Sequence, residues 1–280
     1  MKKQLSVNFL FAALCMAAVC FMGCEGDEGP AGPAGETGAA GSAGAAGDRG
    51  PAGTGYSSVT LTMDDTDESV GKSVYINQNH ATSNLSSTGF IGVRGNTTNS
   101  LRTLMSFDIA KANLPADAVI VDAILTLYPQ ADNTVTSLCH YHIFPVNSEW
   151  NEAECTWNAA TASDNWTAPG GDYSSATRIG EFSVIPKAAQ DGEIPIQAHL
   201  NAAYVQNWNS GHANYGFIIK LDNEAVIVNT TLLMHSRKAS AANAANRPSL
   251  RIIYARTSQL SAGMSSEGIR AEYQAGLQSK

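Results

Sequence analysis

Three carboxylates crowd one short segment of this sequence. Glu149, Glu152 and Glu154 surround Trp150, and paired carboxylates are the groups that most enzymes use to hydrolyse glycosidic bonds. Such chemistry requires the carboxylates to converge on one bond, whereas acidic side chains on a turn are usually solvated. We favour the solvated turn, so the sequence predicts that this chain is not an enzyme.

Two further groups of residues have the chemistry to bind metal. His140 and His142 are two residues apart on a predicted strand, so they share a face and would need only a third ligand. The acidic run 64–68 supplies the oxygen atoms that calcium prefers but matches no calcium-loop spacing. Solvent-facing histidines and a solvated turn are the alternatives, which we favour. We predict that no cofactor is required and leave a structural Ca²⁺ open, without assigning its ligands.

Aromatic residues in polar loops can bind sugars, because sugar C–H faces pack on aromatic rings while amides and charged groups bind the hydroxyls. Trp166 and Tyr173 lie in a long polar loop, 161–177, without the alternating apolar residues that predict burial. We therefore predict an exposed platform at Trp166, and the alternative is a side chain that folds back onto the core. Trp150 and Trp157 are predicted to be packing residues.

An anionic ligand would require cationic partners, because arginine binds carboxylates in a bidentate manner. The candidate residues for such contacts are Arg94, Lys220, Arg237 and Lys238. A nucleic-acid ligand is excluded, because the net charge is −8 and no basic run follows residue 3.

The five cysteines divide by position. Cys15 and Cys20 lie within an apolar leader, Cys24 lies at its end, and Cys139 and Cys155 belong to the later part of the chain. An exported protein meets an oxidising compartment, where a disulfide between the last two would close a loop of about 15 residues and stabilise the fold by ~3 kcal/mol. Two separately buried thiols are the alternative.

Residues 1–23 have the pattern of an export signal, since a short basic start precedes an uncharged apolar run over 5–22. The end of this run, FMGC, resembles the lipobox of bacterial lipoproteins, in which the cysteine, here Cys24, becomes the acylated N-terminus. Phe21 and Met22 depart from the residues that this box prefers. The resemblance implies a membrane anchor through lipid on Cys24, and the alternatives are an ordinary secretory signal and an uncleaved anchor helix.

The residues after Cys24 bear on localisation. Glu25, Asp27 and Glu28 resemble the surface-export signal of some outer-membrane lipoproteins. We therefore expect an exported outer-membrane lipoprotein at the cell surface, with a periplasmic or secreted location as the alternative.

Glycine recurs at every third position from Gly26 to Gly53, ten times without a break. This G-X-Y period is the signature of collagen, in which three chains wind together because only glycine fits at the shared axis. Three prolines stiffen the segment, so its triple helix would be marginal. We expect residues 24–55 to form an acidic tether and a collagen-like stalk, either as a flexible monomer or within a homotrimer.

From residue 56 onward the apolar pattern changes to period two. Short segments rich in Val, Ile, Thr and Tyr alternate with Gly, Asn and Asp over 56–256. This pattern predicts an all-β domain, an antiparallel and jelly-roll-like β-sandwich. One short helix is predicted over 199–209, where apolar residues recur every fourth position. We expect residues 257–280 to be a disordered tail, with 269–277 as a weak helix.

Four sequence blocks, taken in order, resemble one known family. They are LMSFDI with ILTLY, WNEAECTWN, NYGFII, and HSRK with RPSL. Over residues 57–256 the chain is thereby similar to the DNRLRE (disaggregatase-related) modules, also classed as carbohydrate-binding module family 96. Lys238 and Cys155 depart from the family pattern, which has Glu and Val at these positions.

The resemblance implies a β-sandwich that binds polysaccharides, acidic ones in some members, without catalytic apparatus of its own. We therefore expect a non-catalytic, surface-displayed carbohydrate-binding lipoprotein whose partner is an extracellular or cell-wall polysaccharide, either neutral or acidic. The alternative is a structural or adhesive surface protein that makes protein–protein contacts and trimerises through the stalk.

Overall fold

The structure, a computed structural model, describes residues 55–131, 133–186, 194–225, 230–259 and 264–278. The predicted signal peptide, Cys24 and the collagen-like stalk up to residue 54 lie outside these ranges. Within the described residues the chain forms eleven strands and two α-helices. Neither of these helices is long and apolar enough to cross a membrane.

The described strands are short. They are β1 (Ser57–Thr62), β2 (Gly71–Asn77), β3 (Phe90–Val93), β4 (Leu101–Phe107), β5 (Ala118–Leu127), β6 (Cys139–Pro145), β7 (Gly180–Val184), β8 (Ile196–Leu200), β9 (Phe217–Leu221), β10 (Leu232–His235) and β11 (Ser249–Arg256). They pair antiparallel in a four-stranded sheet of order β1-β11-β5-β8 and a five-stranded sheet of order β2-β4-β9-β6-β7, while β3 pairs with β10.

The two larger sheets pack face to face, which confirms the predicted antiparallel β-sandwich. Leu125 and Ile252 of the four-stranded sheet share one buried core with Ile143 and Ile219 of the five-stranded sheet. Strands that have only one face in a core alternate, as in β8, where every second side chain is buried. The period-two pattern of the sequence therefore reports which side chains enter this core.

The predicted short helix is α1 (Ala202–Asn209). Asn201 caps it, because its side-chain oxygen accepts a hydrogen bond from the backbone N–H of Tyr204 at 3.1 Å. Gly211 follows the helix with a φ of 89°, a conformation that glycine adopts without strain. Trp208 is buried against the sandwich core.

The expectation of a disordered tail is wrong for α2 (Ser266–Gln278). Ile269 of this helix is buried among apolar side chains on the outer face of β5 and β11. Tyr273 packs edge-on against Tyr56, with 4.9 Å between the ring centroids, and its hydroxyl lies 3.3 Å from a carboxylate oxygen of Asp122 on β5. The helix is ordered because β5 is apolar on both faces, and its outer face requires a cover.

The disulfide that the sequence left open between Cys139 and Cys155 is not formed, because both thiols are free and lie on opposite faces of the five-stranded sheet. Cys139 lies in the core between the sheets, whereas Cys155 is buried on the outer face. Burial, with a contribution from the nearby Glu152 carboxylate, raises the pKa of the Cys155 thiol to about 12. The second of the two sequence alternatives, separately buried thiols, is the one observed.

Removal of the Ile269 side chain tests whether α2 belongs to the folded domain. Ile269→Ala should lower the free energy of unfolding by about 2–4 kcal/mol, because it leaves a cavity against β5. Leu277→Ala on the same helix is the control, since Leu277 is 45% exposed, and it should change stability by less than about 0.5 kcal/mol. Urea unfolding measures both variants, and equally small losses would show that α2 does not pack on the sheet.

Thiol labelling tests the free cysteines. At pH 8 a thiol with a pKa of about 12 is ionised in roughly one molecule in ten thousand, so Cys155 in the native chain should resist iodoacetamide. After denaturation without reductant, both Cys139 and Cys155 should react fully. Peptide mass spectrometry reports each site, and a peptide in which the two cysteines are linked would contradict the structure.

Candidate functional site

Residues 146–174, which we call the cover segment, fold over the outer face of the five-stranded sheet. This face is apolar along β2, β4 and β9, so it requires a cover. Trp150, Trp157 and Trp166 bury their rings there, with 2, 6 and 4% of each residue exposed. Trp150 and Trp166 each donate the indole N–H to a backbone carbonyl, at 2.8 and 2.9 Å.

A buried ion pair fastens the cover segment to the rest of the domain. Arg237 and Glu152 are 1% and 2% exposed, and Arg237 donates from Nε at 2.8 Å and from Nη2 at 2.6 Å. Arg237 Nη1 also donates to the backbone carbonyls of Asp64 and Asp65, at 3.1 and 2.9 Å. Glu152 accepts a further hydrogen bond from the backbone N–H of Ser73 at 3.0 Å. The pair therefore joins the β1–β2 loop, β2, the cover segment and the turn after β10.

Two open grooves flank a ridge formed by Thr161 and Asn165, which line both of them. The first has a volume of about 700 Å³, and we call it the acidic groove. Its carboxylates are Glu68, Glu149, Glu152, Asp164 and Asp172. The second has a volume of about 630 Å³, and we call it the neutral groove. Uncharged polar residues, Trp166, Pro169 and the carboxylate of Glu154 line it.

The neutral groove presents hydrogen-bonding groups that the domain itself does not use. The side-chain amides of Asn158 and Asn165 and the hydroxyl of Thr82 make no hydrogen bond within the described part of the chain. Hydrogen bonds fix the backbone at Asn158, where the Thr156 hydroxyl accepts from the backbone N–H groups of residues 158 and 159 at 3.2 and 3.0 Å. Trp166 lines the groove but is only 4% exposed. The groove is therefore a pre-formed surface of free amide and hydroxyl groups.

Residues 73–252 match the sequence profile of a family described as the disaggregatase related repeat domain. The match begins in β2, includes the whole cover segment and ends in β11. This chain belongs to the disaggregatase-related repeat family. A search of curated proteins found no match. The membership confirms the resemblance of the four sequence blocks and supports, in its coarsest form, an extracellular domain of the carbohydrate-binding type.

In this disaggregatase-related repeat domain the predicted exposed platform at Trp166 is wrong. Its ring packs in the same buried cluster as Ile76 and Phe144, because the outer face of the sheet needs apolar cover. The other sequence alternative, a loop side chain that folds back onto the core, is the one observed. Tyr173 is half-buried at the margin of this cluster, with its ring 5.5 Å from that of Phe144.

The predicted basic contacts do not line either groove. For Arg237 and Lys220 the prediction is wrong, because both are buried and bonded within the domain, Lys220 to the Leu221 carbonyl at 3.0 Å. Arg94 donates from Nε to a backbone carbonyl at 2.9 Å, and its burial lowers its pKa. Lys238 is half-buried in the turn after β10.

The hypothesis of a histidine metal site is not supported by the geometry of β6. His140 and His142 share one face, as predicted, but His142 Nε2 lies 3.0 Å from the guanidinium of Arg178, which stands where a metal would bind. Its Nδ1 lies 3.2 Å from Asp222. Among the described residues, no group of three or more His, Cys, Asp or Glu side chains is arranged to hold a metal ion.

The acidic side chains singled out in the sequence serve the fold or face the solvent. Asp64, in the run considered for calcium, pairs with Arg247 at 3.0 Å, and Glu68 pairs with Arg237. The three carboxylates around Trp150 do not share one site, since Glu149 and Glu152 line the acidic groove and Glu154 lines the neutral groove.

Arg102 of β4 is a residue that the sequence analysis missed. It binds Glu224 through two hydrogen bonds of 2.9 and 2.7 Å and lies over the rings of Trp157 and Tyr173, at 4.8 and 5.6 Å. Lys220 on the neighbouring strand lies 3.4 Å from the same carboxylate. The available signal was that Arg102 is the one charged residue of β4. Its partners, however, are distant in the sequence.

Glu152→Gln tests the buried ion pair. The variant should lower the free energy of unfolding by about 3–5 kcal/mol, because it leaves the Arg237 charge buried without its main partner. Glu181→Gln is the control, since Glu181 pairs with Arg178 at 2.9 Å with both side chains about half exposed, and it should cost less than about 1 kcal/mol. Urea unfolding measures both, and equal losses would show that the buried pair does not fasten the loops.

Proposed function

We propose that this chain is a non-catalytic, surface-displayed carbohydrate-binding lipoprotein that holds an extracellular or cell-wall polysaccharide in the neutral groove. The observation that carries the proposal is the pair of free side-chain amides of Asn158 and Asn165, which line the neutral groove beside Trp166. All three residues belong to the cover segment, where the Trp166 indole donates to a backbone carbonyl. Planar amides donate and accept at once, as a sugar hydroxyl does. Membership in the disaggregatase-related repeat family supports the same conclusion.

The shape of the site suits a polymer better than a small molecule. The neutral groove is open, and the acidic groove lies directly across the ridge of Thr161 and Asn165. A chain of sugars can lie across such a surface, whereas a small ligand would bury little of its area there. Pro169 and the small exposed part of Trp166 offer apolar contact to the C–H groups of a sugar.

The division of the carboxylates around Trp150 supports non-catalytic binding. Glycoside hydrolysis requires two carboxyl groups that flank one bond, and Glu154 faces one groove while Glu149 faces the other. Glu152 is bonded to Arg237. The proposed role is therefore attachment to the polymer without turnover.

The export signal, the lipid on Cys24 and the collagen-like stalk complete the proposal. Several acyl chains on one cysteine hold a protein stably to a membrane, and a stalk of G-X-Y triplets places the domain at a distance from it. The domain would thereby meet polysaccharide outside the cell. An outer-membrane location at the cell surface is part of this proposal.

A structural or adhesive role is the second candidate, and exposed apolar side chains favour it. Leu138 and Ile185, at neighbouring ends of β6 and β7, are 54% and 55% exposed. Ile194, before β8, is 51% exposed. Such side chains are typical of protein contacts when they form a patch. A trimer that persists on dilution and has no affinity for polysaccharide would favour this second role.

Affinity electrophoresis of the full-length chain through gels that contain neutral or acidic polysaccharides tests the proposed function. At least one polysaccharide should retard the chain. Asn158→Ala/Asn165→Ala should weaken that binding by tenfold or more, because each lost hydrogen bond contributes about 0.5–1.5 kcal/mol. Gln197→Ala, which removes an exposed amide from β8, is the matched control. Undiminished binding by the double variant would place the ligand elsewhere.

A further inference from the structure

The charges that line the two grooves are mostly negative. The carboxylates without a cationic partner in the described part of the chain are Glu149, Glu154, Asp164 and Asp172. Hydrogen bonds from the hydroxyls of Ser163 and Thr161 hold the pKa of Asp164 below its ordinary value. Asp164 is therefore anionic at neutral pH.

The nearby cations do not balance these charges. Lys72 is the basic residue that lines the acidic groove; its Nζ donates to the Trp150 carbonyl at 2.9 Å and lies 4.5 Å from the ring centroid of Trp150. Arg237 is buried below the groove, where it neutralises Glu152 and Glu68. No basic residue lines the neutral groove among the residues that the structure describes.

We infer that the ligand is an uncharged polysaccharide, and that the grooves exclude polymers that carry a carboxylate on every sugar; this inference rests on the proposed function. A polyuronate in the neutral groove would bring its charges toward Glu154 and, across the ridge, toward Asp164. Like charges repel over about 8 Å at physiological ionic strength. Sugar hydroxyls, in contrast, carry no charge, and they can both donate to and accept from the amides of Asn158 and Asn165.

Pairs of polymers with and without a carboxylate at C6 test the inference. β-1,4-Mannan and β-1,4-polymannuronate differ at C6, which is a hydroxymethyl group in one and a carboxylate in the other, and hydroxyethylcellulose and polyglucuronate form a second pair. The full-length chain should bind the neutral polymer of at least one pair tenfold or more tightly than its uronate partner at low salt. Added salt should narrow this ratio, because it screens the repulsion.

Charge-neutralising variants identify the source of the discrimination. Glu149→Gln/Asp164→Asn should raise the affinity for the uronate polymer at least threefold, while the affinity for the neutral polymer changes by less than twofold. The control is Glu267→Gln/Glu272→Gln, which makes the same charge change on α2, on the four-stranded sheet. It should leave the ratio of the two affinities unchanged. An equal gain from both variants would assign the effect to net charge and overturn the inference.

The inference and the proposed function fail in distinguishable ways. If the chain binds a uronate polymer as tightly as the neutral one, and Asn158→Ala/Asn165→Ala abolishes that binding, the inference is wrong and the proposed function stands. If none of the four polymers, and no other polysaccharide, retards the chain, the proposed function is wrong and the inference falls with it.

Discussion

The ion pair between Arg237 and Glu152 sets the arrangement of the loops on one side of this domain. A guanidinium that is 1% exposed must find acceptors for its N–H groups inside the protein, because an unpaired buried charge is strongly destabilising. Those acceptors are Glu152, Glu68 and the carbonyls of residues 64 and 65. Because they come from separate stretches of the chain, satisfying one side chain fixes the β1–β2 loop and the cover segment together.

The cover segment also decides how the aromatic residues are used. The five-stranded sheet is apolar on both faces, so Trp150, Trp157 and Trp166 bury their rings on its outer face instead of presenting them to solvent. The groups that remain for binding a ligand at the surface are the amides, hydroxyls and carboxylates of the two grooves. A groove built in this way would bind through hydrogen bonds on a rigid support, with little apolar area to contribute.

Several cations of this domain are used inside the fold, whereas carboxylates line the grooves at its surface. Arg102, Lys220, Arg237 and Arg247 are largely buried and pair with carboxylates or carbonyls. Several carboxylates at the grooves remain at the surface without such partners. The grooves therefore carry more negative than positive charge. Because the interior uses these cations, few remain at the grooves to bind an anionic ligand, which agrees with the uncharged ligand that we infer.

Local patterns in the sequence were sufficient to predict the sandwich, α1 and the family. The alternation of apolar residues, a capped apolar stripe and short motifs all depend on residues that are neighbours in the sequence. Contacts between distant parts of the chain decided which side chains are buried and which segments are ordered. This holds for Trp166, Arg237, Cys139, Cys155 and α2. A tryptophan in a polar loop is exposed or buried according to whether an apolar sheet face lies beneath it, and an arginine is a ligand contact or an interior partner according to which carboxylate reaches it. Strand register and loop packing decide both, and only the tertiary structure contains them.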